Sequence, residues 1–187
     1  FPIVFLVETT HQFQADRDPV TIEPQAGLGF TYVDSTANET MRVKHPLVQQ
    51  AALKEKKKRQ DRAEEMRLLY VALTRAEQRL FITGYVKDAD LTKKMDKWNR
   101  AFDSASPLLT TTTRLKGQSM LDWIMMTLVR TANFPTLREG VEAAATPLRG
   151  LTKAAYQIKL QNADQVQAAL NTPLDLHPNA TAEQATP

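Results

Sequence analysis

The chain has 187 residues, 42% of them hydrophobic and 24% charged, which suits a folded domain and excludes wholesale disorder. With no cysteine, disulfide frameworks, cysteine zinc sites, iron–sulfur clusters and thiol nucleophiles are all excluded. No apolar run approaches the ~18 residues of a membrane span, and no basic-then-apolar leader opens the chain, so a soluble cytoplasmic protein with no membrane partner is expected. The net charge of +3 is unevenly placed: residues 51–100 hold 14 basic and 8 acidic side chains, against 3 and 6 in residues 1–50. The excess within Lys54–Arg67 reads as the solvated face of a helix, with nucleic-acid contact as the alternative.

Residues 3–7 form a short apolar run of the kind buried on both faces of a parallel sheet. A core strand normally follows a loop, so a run beginning at Phe1 predicts a piece of a longer polypeptide. Residues 9–25 are polar, contain Pro19 and Pro24, and read as a loop. Residues 27–33, led by Gly27 and rich in β-branched and aromatic side chains, predict a strand, and residues 34–45 a second loop.

From Pro46 to Ala76 the pattern is helical, with Pro46 suited to the first helical position and a break near Gln60 allowed by the length. Met66, Leu69, Tyr70 and Leu73 share one face at helical spacing, and Leu68, Val71 and Ala72 widen it, so the last turns are expected to be nearly surrounded by protein, with Tyr70 a core aromatic. Residues 79–84 follow as another short strand after only Glu77 and Gln78. Two apolar strands joined by a helix point to a parallel α/β sheet.

Further on, residues 91–105 predict a helix carrying Trp98 and Phe102, Thr110–Thr113 a low-complexity loop, and residues 117–131 a strongly apolar helix with Trp123 in the core. Residues 154–160 alternate as a strand and residues 164–171 suggest a short helix. From Thr172 onward there are three prolines and no basic residue, as in a linking tail.

The segment with chemical content is EEMRLLYVALTRAEQRLFITG, Glu64–Gly84. Arg75 falls near the end of the helix, just before a strand, and a guanidinium there suits bidentate contact with phosphate oxygens. Helix capping or pairing with Glu77 is the bland alternative. Glu64, Glu65 and Arg67 read as charges that pair along the helix. Thr74 either contacts a ligand or caps.

This segment resembles motif VI of superfamily 1 helicases of the UvrD/RecB group, and the opening FPIVFLV resembles the end of their motif V. GLGF (Gly27–Phe30), the VALTRA variant and GQSMLDWI (Gly117–Ile124) narrow the resemblance to the AddA/RexA-type helicase/nuclease component of the bacterial AddAB or RexAB complex, whose motif VI is followed by a Ser-x-Leu-Asp-Trp helix. The loop after motif V in that family often carries a Phe-Asn pair, where this chain has Phe13-Gln14.

The resemblance implies an α/β fold: part of a RecA-like domain of the P-loop NTPase type over residues 1–90, a mainly helical extension over 91–171 leading toward a nuclease domain, and a linker or tail over 172–187. It implies Arg75 as a catalytic and nucleotide-binding residue on the γ-phosphate of ATP, with Thr74 beside it. It further implies ATP and Mg²⁺ as ligands of the intact parent, single- and double-stranded DNA as partners, and a heterodimer with the AddB/RexB-type helicase/nuclease subunit in processing double-strand ends for recombinational repair. The alternatives are a UvrD-type single-chain helicase and a basic nucleic-acid-binding module without ATPase activity.

The chain contains no G-x-x-x-x-G-K-[ST] phosphate loop, no Asp-Glu pair after a buried strand and no carboxylate cluster suited to two-metal hydrolysis. His11, His45 and His177 read as surface residues, and no metal site is expected. No DNA-contacting residue is assigned. The fragment alone is expected to bind no ATP and to be inactive.

Overall fold

The structure is a computed structural model that describes residues 1–14, 18–34, 36, 42–103, 108–131 and 156–171. Residues 1–153 form one compact unit and residues 154–187 another. In the first unit, β1 (Ile3–Leu6) pairs in parallel with β5 (Arg79–Ile82), with Ile3 opposite Arg79 and Leu6 opposite Ile82. Between them in sequence lies a three-stranded antiparallel sheet, β2 (Val20–Glu23), β3 (Gly27–Asp34) and β4 (Val43–Pro46), followed by the helix α1 (Val48–Leu73). The parallel pair around a connecting helix is the arrangement that the apolar runs predict.

Two strands arise in segments expected to be loops: β2 within residues 9–25, and β4 over the last residues of 34–45 and on to Pro46. Each is four residues long and owes its place to pairing with the longer β3, a tertiary gain that local composition does not carry. The β2–β3 hairpin closes through a three-residue loop in which Ala26 N–H donates to Glu23 C=O at 3.1 Å, and Gly27 adopts φ +93°, a conformation that glycine reaches without steric cost.

Pro46 ends β4 instead of opening the helix; Leu47 is the N-cap and Val48 the first helical residue. No break occurs near Gln60, because residues 48–73 contain neither Gly nor Pro to interrupt the ladder. The first turns of α1 lie against the three-stranded sheet. Gln50, fully buried, donates from Nε2 to the carbonyl of Pro19 at 2.8 Å and accepts from the Thr31 hydroxyl, and Lys56 pairs with Glu23 at 2.9 Å. Gly29 is required here: a Cβ would stand 2.6 Å from the Gln50 Cα.

The last turns of α1 are more open than the spacing predicts. Leu69 is buried, but Tyr70 is 67% exposed, and Leu68, Val71 and Leu73 are exposed as well. The strands behave likewise: Phe5, stacked on Phe81 with ring centroids 4.9 Å apart, is 66% exposed. Periodicity identifies the faces that want burial, and the described residues supply no layer over these two.

The core sits instead in the helices after β5. The helix α2 (Asp88–Asn99) runs into a 3₁₀ turn (Arg100–Asp103), so the helix expected over 91–105 begins earlier and ends tighter. Thr110–Thr113, expected as a loop, belongs to the N-cap and first turn of α3 (Thr111–Lys116), because the Thr110 hydroxyl accepts the Thr113 N–H. The helix α4 (Met120–Leu128) buries Trp123, Met125 and Met126, against which Trp98, Ala101 and Val129 complete the apolar center. Trp123 is therefore a core aromatic, as the sequence predicts.

In the second unit, α5 (Ala163–Asn171) matches the expected helix, whereas residues 156–160 are not a strand; no partner strand is available to them among the described residues. Residues 154–155 and the expected tail at 172–187 lie outside the described residues.

Candidate functional site

The α1–β5 turn carries Thr74 and Arg75. Thr74 closes the helix: its N–H donates to Tyr70 C=O at 3.1 Å, and its hydroxyl donates to the same carbonyl at 2.9 Å. The single hydroxyl proton is spent on the helix end, so as placed the side chain offers a ligand only lone pairs. Arg75 follows with its N–H on Ala72 C=O at 3.3 Å. Its exposed guanidinium makes no hydrogen bond or ion pair among the described residues.

Neither bland alternative describes Arg75. Thr74 provides the cap, and Glu77 makes no ion pair with the guanidinium among the described residues. The turn is pinned to the start of β1 through Glu77 N–H on Phe1 C=O at 2.8 Å and Gln78 N–H on Pro2 C=O at 3.0 Å. Arg75 thus stands at the amino edge of the parallel strands, whereas ligands of open α/β sheets gather outside the carboxyl edge.

The remaining motif charges pair locally. Arg67 grips Glu64 through two hydrogen bonds, Nη2 to Oε1 at 2.6 Å and Nε to Oε2 at 3.0 Å, which holds the Glu64 carboxyl below its ordinary pKa and the guanidinium above its own. In the basic run, Lys56 is bound to Glu23 and Arg59 to Glu55 at 3.2 Å. Lys54, Lys58 and Arg62, one helical turn apart, line a shallow cleft of about 240 Å³ with Gln14, Glu55 and Asp61. Arg62 lies over the Phe13 ring, 4.2 Å from its centroid, and desolvation lowers its pKa. The segment is therefore partly a paired, solvated face and partly a packing element.

A second junction joins the loop after β1 to the Ser-x-Leu-Asp-Trp helix. Glu8 leaves β1 with φ 55°, an uncommon conformation for a residue with a Cβ. The buried Thr9 then donates from Oγ1 to Thr83 C=O at 2.8 Å and accepts Leu121 N–H at 2.8 Å. Phe13 N–H reaches Gln118 C=O at 2.8 Å, and its ring tilts onto Trp123 at 4.6 Å. Trp123 in turn donates from Nε1 to Arg114 C=O at 2.8 Å. Phe13 thus sits between Arg62 and Trp123.

The center of this junction is Asp122, fully buried. Its carboxylate accepts Trp98 Nε1 at 2.9 Å, Lys97 Nζ at 2.7 Å and Gln118 N–H at 2.9 Å, with Lys94 Nζ at 3.4 Å. Burial pushes its pKa up, but Lys97, the Gln118 amide and Trp98 together hold it below the ordinary value. Sequence reasoning used Asp122 only as a family marker. The signal that identifies it is Ser119-x-x-Asp122, a capping-box spacing, and the Ser119 hydroxyl does accept the Asp122 N–H at 3.2 Å.

Residues 1–87 match the UvrD-like helicase C-terminal domain. Proteins named as the A subunit of an ATP-dependent helicase/nuclease are similar over most of the chain. The one from Lactiplantibacillus plantarum is 39% identical over 132 residues, covering 70% of this chain and 10% of that protein. Those from Ligilactobacillus salivarius and Pediococcus pentosaceus are 34% and 33% identical, covering 85% and 89% of this chain and 12% and 13% of the relatives. The chain spans about a tenth of the length of these curated relatives. With its parallel strands β1 and β5 on either side of α1 and an exposed Arg75 at the turn between α1 and β5, the chain is similar over residues 1–87 to the UvrD-like helicase C-terminal domain.

Proposed function

We propose that this chain is part of an ATP-dependent DNA helicase/nuclease of the AddA/RexA type, and that it supplies one wall of the ATP cleft. In this reading β1, α1 and β5 belong to a RecA-like domain within residues 1–90, residues 91–171 are an extension toward a nuclease domain, and the exposed faces of β1, β5 and the end of α1 carry the rest of that domain. The parent, cytoplasmic and paired in a heterodimer with an AddB/RexB-type subunit, processes double-strand DNA ends for recombinational repair, using ATP with Mg²⁺ and acting on single- and double-stranded DNA.

The observation that carries the proposal is the exposed Arg75 guanidinium, held at a rigid helix–strand turn with no partner among the described residues. Its planar fork donates to the γ-phosphate oxygens as charge builds on them, a role in which arginine contributes ~10³–10⁵ in rate. Thr74 reaches the nucleotide as a donor only if its hydroxyl leaves Tyr70 C=O; otherwise it fixes the direction in which the chain presents Arg75.

The test is DNA-stimulated ATPase of the full-length protein carrying Arg75→Ala. Turnover is expected to collapse while nucleotide-free DNA binding survives. Near-normal turnover would make Arg75 a surface residue of the turn.

A further inference from the structure

The three-stranded sheet is inside out. Its strands alternate, and register places the side chains of Thr21, Gly29 and Thr31 on one face, with Val20, Ile22, Leu28, Phe30 and Tyr32 on the other. The small and polar face is the one against α1, where Gly29 meets the Gln50 backbone and Thr31 bonds its side chain. The apolar face looks outward: Ile22 is 74% exposed, and Val20, Leu28, Phe30 and Tyr32 are exposed beside it. An amphipathic sheet buries its apolar face, and five contiguous bare hydrophobic side chains are a surface made to be covered.

We infer that this face is the seat of an apolar segment from elsewhere in the same polypeptide, outside these 187 residues; the inference rests on the proposed function insofar as the chain is part of a longer protein. Size argues against a second copy. At the ~150–250 Å² of a large side chain, the exposed fractions of these five leave on the order of 500 Å² bare, short of the ~800 Å² per partner of a stable complex. A patch that small holds a neighbor already tethered, whose translational freedom is lost through the chain itself.

Charge argues against nucleic acid. The face carries no lysine or arginine among the described residues, since Lys44 lies opposite Val33 on the other side; Asp34 shares the apolar face, as does His45, stacked on Tyr32. An anionic backbone is repelled there, while an apolar protein surface is not. The relatives, of which this chain covers 10–13%, contain ample polypeptide to supply the cover.

The experiment places single cysteines, Ile22→Cys and Leu28→Cys, in the full-length protein and follows maleimide labeling at each by peptide mass spectrometry. Gln60→Cys, on the exposed side of α1, is the freely reacting reference. In the isolated native protein, both sheet positions should label about tenfold or more slowly than the reference, and equally with it after denaturation. Labeling at the reference rate overturns the inference. So does protection that appears only on adding the heterodimer partner, only at raised protein concentration, or only with single-stranded DNA, each of which names a different occupant. ATPase activity measured on the same samples keeps the readings apart. Open labeling with normal ATPase removes this inference alone, and protection in a wild-type protein without ATPase removes the helicase reading alone.

Discussion

Trp98 and Asp122, from two different helices, are joined by a 2.9 Å hydrogen bond from the indole Nε1 to Oδ1, deep in the helical core. The neighboring Lys97 takes the other oxygen at 2.7 Å, so one carboxylate locks two successive residues of α2 onto the start of α4. A buried carboxylate is retained only where donors offset its desolvation, and here an indole, two ammonium groups and an amide do so.

Asp122→Ala should lower stability by about 2–4 kcal/mol, because the Trp98 indole and the Gln118 amide lose their acceptor. Lys97 and Lys94 are partly exposed and turn to water, which keeps the loss below that of a fully buried pair. Urea unfolding of wild type and variant measures the difference, and a change under ~0.5 kcal/mol contradicts this role.

Acid should expose the same group. Because the folded-state pKa of Asp122 is lowered, its contribution is complete above the unfolded value near ~3.9 and is lost as pH falls through the folded value. Asp122→Asn should flatten the stability–pH curve below about pH 4. Matching slopes in the two proteins would exclude Asp122 as the source.

Gly117→Ala should destabilize by about 1–3 kcal/mol despite its conservative chemistry. The added Cβ would overlap the Trp123 indole nitrogen and crowd Arg114 C=O at 3.1 Å, the two ends of one hydrogen bond. Near-ultraviolet circular dichroism and thermal unfolding report the displaced indole; unchanged spectra and melting would contradict the tight fit.

Reversing Lys54 and Lys58 to glutamate in the full-length protein should leave DNA affinity nearly unaltered, as expected of a solvated face beside Glu55 and Asp61. If they neutralize phosphates, the log–log salt slope falls by ~0.7–0.9 per lost contact. Affinities at several salt concentrations decide between the outcomes.

Arg75→Lys should restore little of the ATPase lost in Arg75→Ala, because an ammonium cannot reproduce two parallel N–H donors. Full rescue would indicate that only the charge at this turn matters. The 187-residue chain itself, with no phosphate loop in its sequence, should show no calorimetric binding of Mg-ATP, and micromolar binding would contradict the reading of Arg75 as half of a shared site.

The order strand–helix–strand and the Ser-x-Leu-Asp-Trp helix are legible from residue pattern, because α1 is a run without glycine or proline and α4 rests on local spacing and the Ser119 cap. β2 and β4 are not, since four residues beside prolines become strands only through β3. The openness of Tyr70 is hidden for another reason: periodicity shows which side wants burial, not whether a neighbor is there. At the candidate site, motif spacing found Arg75, whereas Thr74's commitment to Tyr70 C=O and Asp122's four donors depend on contacts across the fold.

An uninterrupted helix of 26 residues is about 39 Å long, and this one is held by the small sheet at its beginning and ends two residues before Arg75. With neither glycine nor proline inside it, α1 has no sequence site for a sharp kink. The Gln50 contact with the small sheet and the turn that presents Arg75 are thus the two ends of one continuous hydrogen-bonded element.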